Sequence, residues 1–270
     1  MVSVLTQNSQ QNSSVRSEMD VGLNSFSDFL KGFPLQGDEL YRTVYNRNSD
    51  VIQTQKIRVA VANLEKILKA TFDVSAESGF DRMSLRDLSR QTGMSMGAIY
   101  SCISKKEDIA LMVADIVRLS SEMTRDHAQK SSSPWAQIEQ SIRFHLYAST
   151  LLQPWYFFLY FETRSLPEQQ QLDSKRIELD AIKSFEQQII AGISAGHFQA
   201  DNPYMIANMI VVLLEDWYLK PWKTHALPML DERSSTEKRS SRLLSEQEHT
   251  IKHYNQAIIG LVKKQLAVKA

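Results

Sequence analysis

The segment from Ser84 to Ile103 constrains this sequence more than any other feature, because two short apolar periodicities meet there at a glycine. Ser84 belongs to the residue types that cap the start of a helix, and leucines follow it at helical spacing. Gly93 ends that helix, since glycine supplies the backbone freedom of a tight turn. Ser95 then caps a second helix. The segment therefore predicts a helix-turn-helix.

In a helix-turn-helix that binds DNA, the first helix braces against the backbone and the second lies in the major groove. Small residues at Gly97 and Ala98 would let the second helix approach DNA closely. The residues predicted to lock the two helices together are Leu85, Leu88, Met94 and Ile99. The candidate phosphate contacts are Arg86, Arg90, Tyr100, Lys105 and Lys106. Taken alone, the pattern also fits two packed helices of any all-α protein.

The rest of the chain from about residue 55 predicts further helices and no sheet, because no alternation of Val, Ile and Thr is bounded by turns. We therefore predict an all-α fold. The first helix ends near Gly79, and the clearest linker is Ser131–Pro134. Further helices are expected over Lys106–Asp126, Pro134–Leu151, after Pro154, over Pro167–Ala195, from Pro203 to about Trp217 and over Leu243–Leu266, with a loop over Thr224–Arg242.

Residues 1–54 form an N-terminal extension that we expect to be largely disordered, with at most one short helix. Gln7–Ser14 is polar and low in complexity. An apolar cluster lies further along and either docks on the body of the protein or belongs to the tail; it consists of Phe26, Phe29, Leu30, Phe33 and Leu35.

Composition excludes several classes of protein. Basic and acidic residues balance at 31 each, so net charge supports neither DNA binding nor its absence. A single cysteine, Cys102, excludes an internal disulfide and a multi-thiolate metal cluster. No apolar run is long enough to span a bilayer and no secretory signal is visible, so we expect a cytoplasmic protein without a membrane partner. His249 and His253 lie one helical turn apart but lack a third ligand, and no catalytic constellation is present, so we expect no metal, cofactor or enzymatic activity.

The stretch from Ile57 to Val113 resembles the N-terminal domain of the TetR family of bacterial repressors. The matching residues are Ile67-Leu68-Lys69-Ala70, Gly79, Ser84-Leu85-Arg86-Asp87-Leu88, Gly93-Met94-Ser95, Gly97-Ala98-Ile99-Tyr100 and Lys105-Lys106-Glu107-Asp108-Ile109. The resemblance implies a three-helix DNA-binding domain over residues 55–104 and a helical effector-binding and dimerisation domain over residues 105–270. It also implies repression that a small molecule relieves.

The same resemblance implies roles for individual side chains. Ser84 and Arg86 would contact phosphate, as would Tyr100. Lys106 would hold the DNA backbone beside the fourth helix. The residues that would face bases or the sugar edge are Met96, Ala98 and Ser101, and Ser95 and Lys105 complete the expected DNA-binding set. Cys102 and Ile103 depart from the family, which usually has His or Tyr and then Phe there, so no phosphate contact is carried over to position 102.

The aromatic stretch Leu151–Phe161 would be ordinary core in most proteins, but the resemblance favours an effector site between the helices. The expected lining residues are Phe144, Tyr147, Trp155, Phe158, Met209 and Trp217. We expect an apolar or aromatic effector. The run Glu162–Pro167 resembles one in lipid-responsive members of the family and favours a fatty acyl ligand.

The last helix carries a seam of coiled-coil type at Leu244, Ile251, Tyr254, Ile258 and Leu261. The seam packs either within the chain or against a second copy. The resemblance favours a homodimer, and two-fold symmetry then predicts a palindromic operator. Two other hypotheses are a helical protein-interaction module that keeps the helix-turn-helix as a scaffold, and a helical enzyme, which lacks catalytic residues.

Overall fold

The computed structural model describes residues 21–223 and 239–268, and every regular element within them is helical. The predicted all-α fold is confirmed. The helices are α1 (Phe26–Gly32), α2 (Gly37–Arg47), α3 (Ile57–Ser78), α4 (Leu85–Thr92), α5 (Met96–Tyr100), α6 (Lys106–Ala128), α7 (Pro134–Leu151), α8 (Gln153–Glu162), α9 (Glu168–Ser194), α10 (Pro203–Leu219) and α11 (Arg239–Gln265). A 3₁₀ turn, Thr163–Ser165, follows α8.

Local sequence accounts for most of these helix boundaries. Helix α3 buries a stripe that includes Leu64, Ile67 and Leu68, and it ends at Gly79, whose φ of 84° favours glycine. Helix α10 begins at Pro203, behind the Asn202 side chain, which accepts a hydrogen bond from a backbone N–H of the first turn. The predicted stop at Gly79 and the predicted starts at Pro134 and Pro203 are confirmed.

The described residues divide into two compact units. The first unit comprises Phe33–Leu119 and Leu152–Lys175. Its core forms where α2, α4, α5 and α8 pack on α3. The second unit comprises Val21–Gly32, Ser120–Leu151 and the described residues from Arg176 onward. In this unit α10 and α11 pack on α7 and on each other, and α1 packs on α11.

The N-terminal extension differs from the expectation of a largely disordered segment over residues 21–54. This part contains two helices, α1 and α2. Helix α2 buries Tyr41 and Val44 against the first unit, and the Arg47 guanidinium donates two hydrogen bonds of 2.6 Å to the Asp115 carboxylate. The apolar cluster supplies the reason: Phe26, Phe29, Phe33 and Leu35 are all buried. Gln7–Ser14 lies outside the described residues, as does most of the loop predicted over Thr224–Arg242.

Candidate nucleic-acid interface

Helix α4 begins with a capping box formed by Ser84 and Asp87. The Ser84 hydroxyl accepts a hydrogen bond from the Asp87 N–H at 3.3 Å, and the Asp87 carboxylate accepts one from the Ser84 N–H at 2.9 Å. The hydroxyl also donates to the Asp87 carboxylate at 2.7 Å. Hydrogen bonds from the side chain and backbone of Ser84 hold the pKa of the Asp87 carboxyl below its usual range. The Ser84 side chain therefore caps the helix, and its hydroxyl proton is already engaged.

The turn between α4 and α5 is fixed by Gly93 and two hydroxyl groups. Gly93 adopts a left-handed conformation, with φ of 68°. The Ser89 hydroxyl donates to the Met94 carbonyl oxygen at 2.6 Å, and the Met94 N–H donates to the Thr92 hydroxyl at 3.2 Å. Because these bonds satisfy the backbone of the turn, the direction in which α5 leaves it is set locally. The predicted helix-turn-helix geometry is confirmed.

Helix α5 is a single short helix anchored by one side chain. Ser95 caps it by accepting a hydrogen bond from the Ala98 N–H at 3.2 Å, and Ile99 is fully buried beneath it. The opposite side presents Ser95, Gly97 and Tyr100 to solvent, and Tyr100 is 48% exposed. Met96 and Ala98 are half-buried. The exposed face thus offers small groups, one hydroxyl and one phenol, which suits close approach to a groove.

Ser101 lies at the end of α5 and is held by the segment before α3. The Thr54 hydroxyl donates to the Ser101 hydroxyl at 2.8 Å, and the Ser101 hydroxyl donates to the Ala98 carbonyl oxygen at 2.7 Å. The Gln53 N–H donates to the Ser101 carbonyl oxygen at 2.9 Å. This half-buried side chain therefore ties α5 to residues 53–54, which differs from the expected role of facing the bases.

Lys106 also differs from its expected role at the DNA backbone. Its ammonium group donates to the carbonyl oxygens of Asp81 at 2.6 Å, Phe80 at 3.1 Å and Met83 at 3.3 Å. The nitrogen lies 5.3 Å from the centre of the Phe80 ring. An ammonium group has three protons, and these contacts engage all of them. Lys106 therefore holds the turn that precedes α4.

Several cations nearby remain exposed. Arg86 and Lys105 point to solvent, and Arg90 is exposed while paired with the Asp87 carboxylate. The structure adds two residues that the sequence analysis did not select, Lys56 and Arg58, which are exposed at the start of α3. They follow Thr54, which is bonded to the end of α5. The signal in the sequence was the pair of basic residues at positions 56 and 58, which is too short a pattern to stand out by itself.

Cys102 and Ile103 belong to the core beneath α5, where both are fully buried. Burial raises the pKa of the Cys102 thiol, which disfavours the reactive thiolate. This position therefore packs the domain and offers no phosphate contact.

The six residues expected to line one effector site fall in different units. Trp155 and Phe158 are buried in the core of the first unit, where both rings contact Phe72, at 5.4 and 5.7 Å between ring centres. The other four lie in the second unit: Phe144, Tyr147, Met209 and Trp217. The six residues thus do not all belong to one unit.

Within the second unit the four residues are also in different environments. Phe144 and Tyr147 are buried against α1, whereas Met209 is 40% exposed. The Trp217 indole N–H donates to the Thr150 hydroxyl at 2.9 Å, and its ring lies 4.9 Å from that of Tyr254. Trp217 also borders a cleft of about 260 Å³ between α10 and α11, with Asp216, Lys220, Lys223, Thr250, His253 and Tyr254.

A second, smaller cavity of about 20 Å³ lies among polar residues of the second unit and is large enough for one water molecule. Its walls include Thr124, Arg125, Ser141 and His145. Burial lowers the pKa of His145 to about 4, so the imidazole is neutral at physiological pH. The nearby Ser141 hydroxyl and Gln188 side chain are hydrogen-bonded to each other.

Two features are absent from the described ranges. No group of three or more His, Cys, Asp or Glu side chains in residues 21–223 and 239–268 has an arrangement that would hold a metal ion. His249 and His253 stack on each other, 4.1 Å between ring centres. In these same ranges no helix combines the length and the apolar character needed to cross a bilayer.

Comparisons with known proteins agree with this geometry. Residues 67–113 match the family model of bacterial regulatory proteins of the tetR family. No curated protein sequence matches the chain significantly. Among solved structures, a regulatory protein of the tetR family from Rhodococcus RHA1 is similar at a TM-score of 0.59, with 17% identity, over 80% of this chain and 100% of the other.

Two further solved structures contain ligands. The transcriptional regulator FadR from Bacillus subtilis, in complex with stearoyl-CoA, is similar at a TM-score of 0.53 and 14% identity, over 75% of this chain and 98% of the other. AibR, in complex with isovaleryl coenzyme A and operator DNA, is similar at a TM-score of 0.53 and 14% identity, over 77% of this chain and 100% of the other. At these identities the likeness establishes the fold. The helix-turn-helix lies within residues 67–113, the part of the chain that is similar to the tetR family of bacterial regulatory proteins in sequence as well as in fold.

Proposed function

We propose that this chain is a ligand-responsive repressor that binds a palindromic operator as a homodimer and is released by a small apolar or aromatic effector, with fatty acyl compounds as the favoured class. One observation carries the DNA-binding mode: α5 is anchored by the buried Ile99 and presents Ser95, Gly97 and Tyr100 on its exposed face. That face is the recognition surface of the proposal.

The proposed contacts follow from which polar groups are still available. Arg86, Tyr100 and Lys105 are exposed and are proposed to contact phosphates, together with Lys56 and Arg58 at the start of α3. Met96 and Ala98 are proposed to touch base edges through apolar contacts, beside the hydroxyl of Ser95. Ser84, Ser101 and Lys106 are proposed to position the two helices, because their polar groups bond within the protein.

The proposed dimer face lies on α10. Met205, Met209 and Val212 are exposed at intervals of four and three, so they form one apolar stripe along the helix. Leu261 of α11 is also exposed, whereas Ile251 and Ile258 of the predicted seam are buried within the unit. Tyr254 donates its hydroxyl to the Leu213 carbonyl oxygen at 2.7 Å. The seam thus packs α11 inside the chain in large part, and the α10 stripe is the surface we assign to an isologous contact.

Two observations support the proposed effector class. The second unit has an aromatic interior around Phe144 and Tyr147, which suits an apolar or aromatic molecule. Two proteins of similar fold bind acyl thioesters of coenzyme A: FadR, in complex with stearoyl-CoA, and AibR, in complex with isovaleryl coenzyme A. A fatty acyl compound is therefore the first effector to test.

The test of DNA binding is retention of the DNA upstream of the protein's own gene by the full chain, measured over a series of salt concentrations. Tyr100→Ala and Lys105→Ala should each weaken binding, and Lys105→Ala should lower the slope of log affinity against log salt by about one. Lys183→Ala is the matched control, because this lysine is exposed on α9 in the second unit. Binding that is equal for unrelated DNA, or equal losses for the control, would contradict the proposal.

A further inference from the structure

Helix α1 occupies the aromatic interior of the second unit. The Phe29 ring lies 5.1 Å from the Phe144 ring and 5.4 Å from the Tyr147 ring, and the Phe26 ring lies 5.4 Å from the Tyr147 ring. Phe29 is fully buried and Phe26 nearly so. The extension therefore places two phenyl rings on residues that the sequence analysis assigned to the effector.

Two polar contacts join the edge of α1 to the helices beside it. The Ser27 hydroxyl donates to the Glu248 carboxylate of α11 at 3.1 Å. The carbonyl oxygen of Leu23 accepts from Arg143 at 3.5 Å, the upper limit for a hydrogen bond. The buried rings of Phe26 and Phe29 thus hold α1 on the second unit, and these polar contacts join its edge to α11 and α7.

Arg143 borders the same place and has an unsatisfied donor. One of its terminal nitrogens donates to Glu139 at 2.7 Å, but the buried Nε has no hydrogen-bond partner among the described residues. A guanidinium keeps its charge at any physiological pH, so a buried N–H without an acceptor costs free energy. A carboxylate that arrived beside Nε would supply that acceptor.

From these contacts we propose that α1 is a built-in occupant of the effector site. An effector with an apolar body and one anionic group displaces α1, replaces the two phenyl rings with its own apolar surface and places its anionic group on Arg143. This inference deepens the proposed function, on which it rests, by specifying how the effector enters its site.

The covalent chain links α1 to the helix-turn-helix unit. Only residues 33–36 separate α1 from α2. Four extended residues span at most about 14 Å. Helix α2 packs on α3, and Phe33 and Leu35 are buried in the first unit. The four residues thus connect the displaced helix covalently to a helix of the first unit.

The first test compares probe affinities without DNA, so that its outcome does not depend on operator binding. The probes are the anionic dye 1-anilinonaphthalene-8-sulfonate and its uncharged analogue N-phenyl-1-naphthylamine, both titrated by fluorescence. Since α1 competes with any ligand, Phe26→Ala/Phe29→Ala should bind both dyes at least tenfold more tightly than the unmodified chain, at one site per chain and with displacement by laurate. Lys31→Ala is the matched control, because that side chain is 76% exposed and its ammonium group donates to Asp28 of the same helix.

Because the double variant removes two buried rings and can unfold the second unit, a milder variant is tested beside it. Glu248→Gln weakens only the edge tether of Ser27 and should raise dye affinity two- to fivefold. A second measurement follows α1 directly. A spin label on Lys31→Cys, with Cys102 buried, should show the restricted motion of an ordered helix surface in the free protein and become more mobile when laurate is added. Equal dye affinities in all chains, or a label whose mobility is unchanged at saturating laurate, would overturn the proposal.

Two further variants test the role of Arg143. Each is made in the chain that binds the dyes most tightly. Arg143→Gln should lose at least tenfold in affinity for the anionic dye and little for the uncharged one. Glu139→Gln removes the carboxylate partner and should keep or strengthen the binding of the anionic dye. Equal losses of both dyes on Arg143→Gln would contradict the assignment of the anionic group. If the dye and label results are as expected but the chain does not bind DNA, the proposed DNA-binding function is wrong and the assignment of α1 to the ligand site stands.

Discussion

The ammonium nitrogen of Lys106 lies 2.6 Å from the carbonyl oxygen of Asp81, and this contact joins the start of α6 to the turn before α4. Because the same group also serves the carbonyl oxygens of Phe80 and Met83, removing it leaves three acceptors without this donor. We expect Lys106→Met to lower the free energy of unfolding by about 1–3 kcal/mol, measured by urea denaturation.

The neighbouring lysine provides the control for that prediction. Lys105 is exposed, so Lys105→Met should leave the free energy of unfolding within about 0.5 kcal/mol of the parent chain while weakening DNA binding. If Lys106→Met were as stable as Lys105→Met, the assignment of Lys106 to a structural contact would be wrong.

The ion pair of Arg47 with Asp115 fastens the N-terminal extension to α6. Its two hydrogen bonds are 2.6 Å long and both side chains are about 20% exposed, so the pair is largely shielded from water; Arg118 lies 3.7 Å from the same carboxylate. Arg47→Ala should lower the free energy of unfolding by about 2–3 kcal/mol. In a double-mutant cycle with Asp115→Ala, the two losses should be coupled by about 1–2 kcal/mol. Arg42→Ala, at an exposed pair with Glu39, should cost less than about 0.5 kcal/mol, and a cycle without coupling would contradict this account.

Much of the fold was predictable because its signals are local. A helix ends at Gly79, a turn forms at Gly93, and helices begin after Ser84 and at Pro134. Each of these signals is a local preference of the residue itself and does not depend on distant partners. The spacing of apolar residues gave the buried faces for the same reason. The candidate interface followed from these elements, since the position of Tyr100 on the exposed side of α5 depends only on the burial of Ile99.

The features that differed from expectation depend on contacts that sequence spacing does not encode. The sequence marks Lys106 as a cation, but only the fold brings three carbonyl oxygens to it. Phe144 and Phe158 are equally aromatic, yet they lie in different units because the chain crosses between units at residues 119–120 and 151–152. The sequence showed Phe26 and Phe29 as part of an apolar cluster but not whether the cluster docks, because the residues that bury them lie more than a hundred positions away.

The stability of the second unit should depend on the protonation of Glu215. Burial, and then the nearby Glu178 carboxylate, raise the pKa of Glu215 to about 7. A carboxyl whose pKa is higher in the folded than in the unfolded chain binds more protons when folded, so stability falls as pH rises from about 4.5 to about 7. Because the group is partly exposed, solvent screening reduces the effect to about 1–2 kcal/mol.

Glu215→Gln should therefore remove this loss and raise the melting temperature at pH 8 relative to the parent chain, with little difference at pH 5. Melting curves at the two pH values provide the measurement. Glu186→Gln, at another glutamate of the second unit, serves as the control and should leave the pH dependence unchanged. A parent chain whose stability is flat between pH 5 and pH 8 would contradict the prediction.

The exposed stripe on α10 predicts which surface joins two copies of the chain. Met205, Met209 and Val212 are each at least 40% exposed, and leaving such a stripe in water costs about 25 cal/mol for each Å² that a contact would bury. A lysine at its centre, Met209→Lys, would place two like charges across a two-fold axis and should raise the dimer dissociation constant at least tenfold. Sedimentation velocity over a concentration series measures this constant. Leu111→Lys on α6, equally exposed but in the first unit, should leave it unchanged. If Met209→Lys stayed as dimeric as the parent chain while Leu261→Lys dissociated, the contact would be centred on α11, as the periodicity of the last helix first indicated.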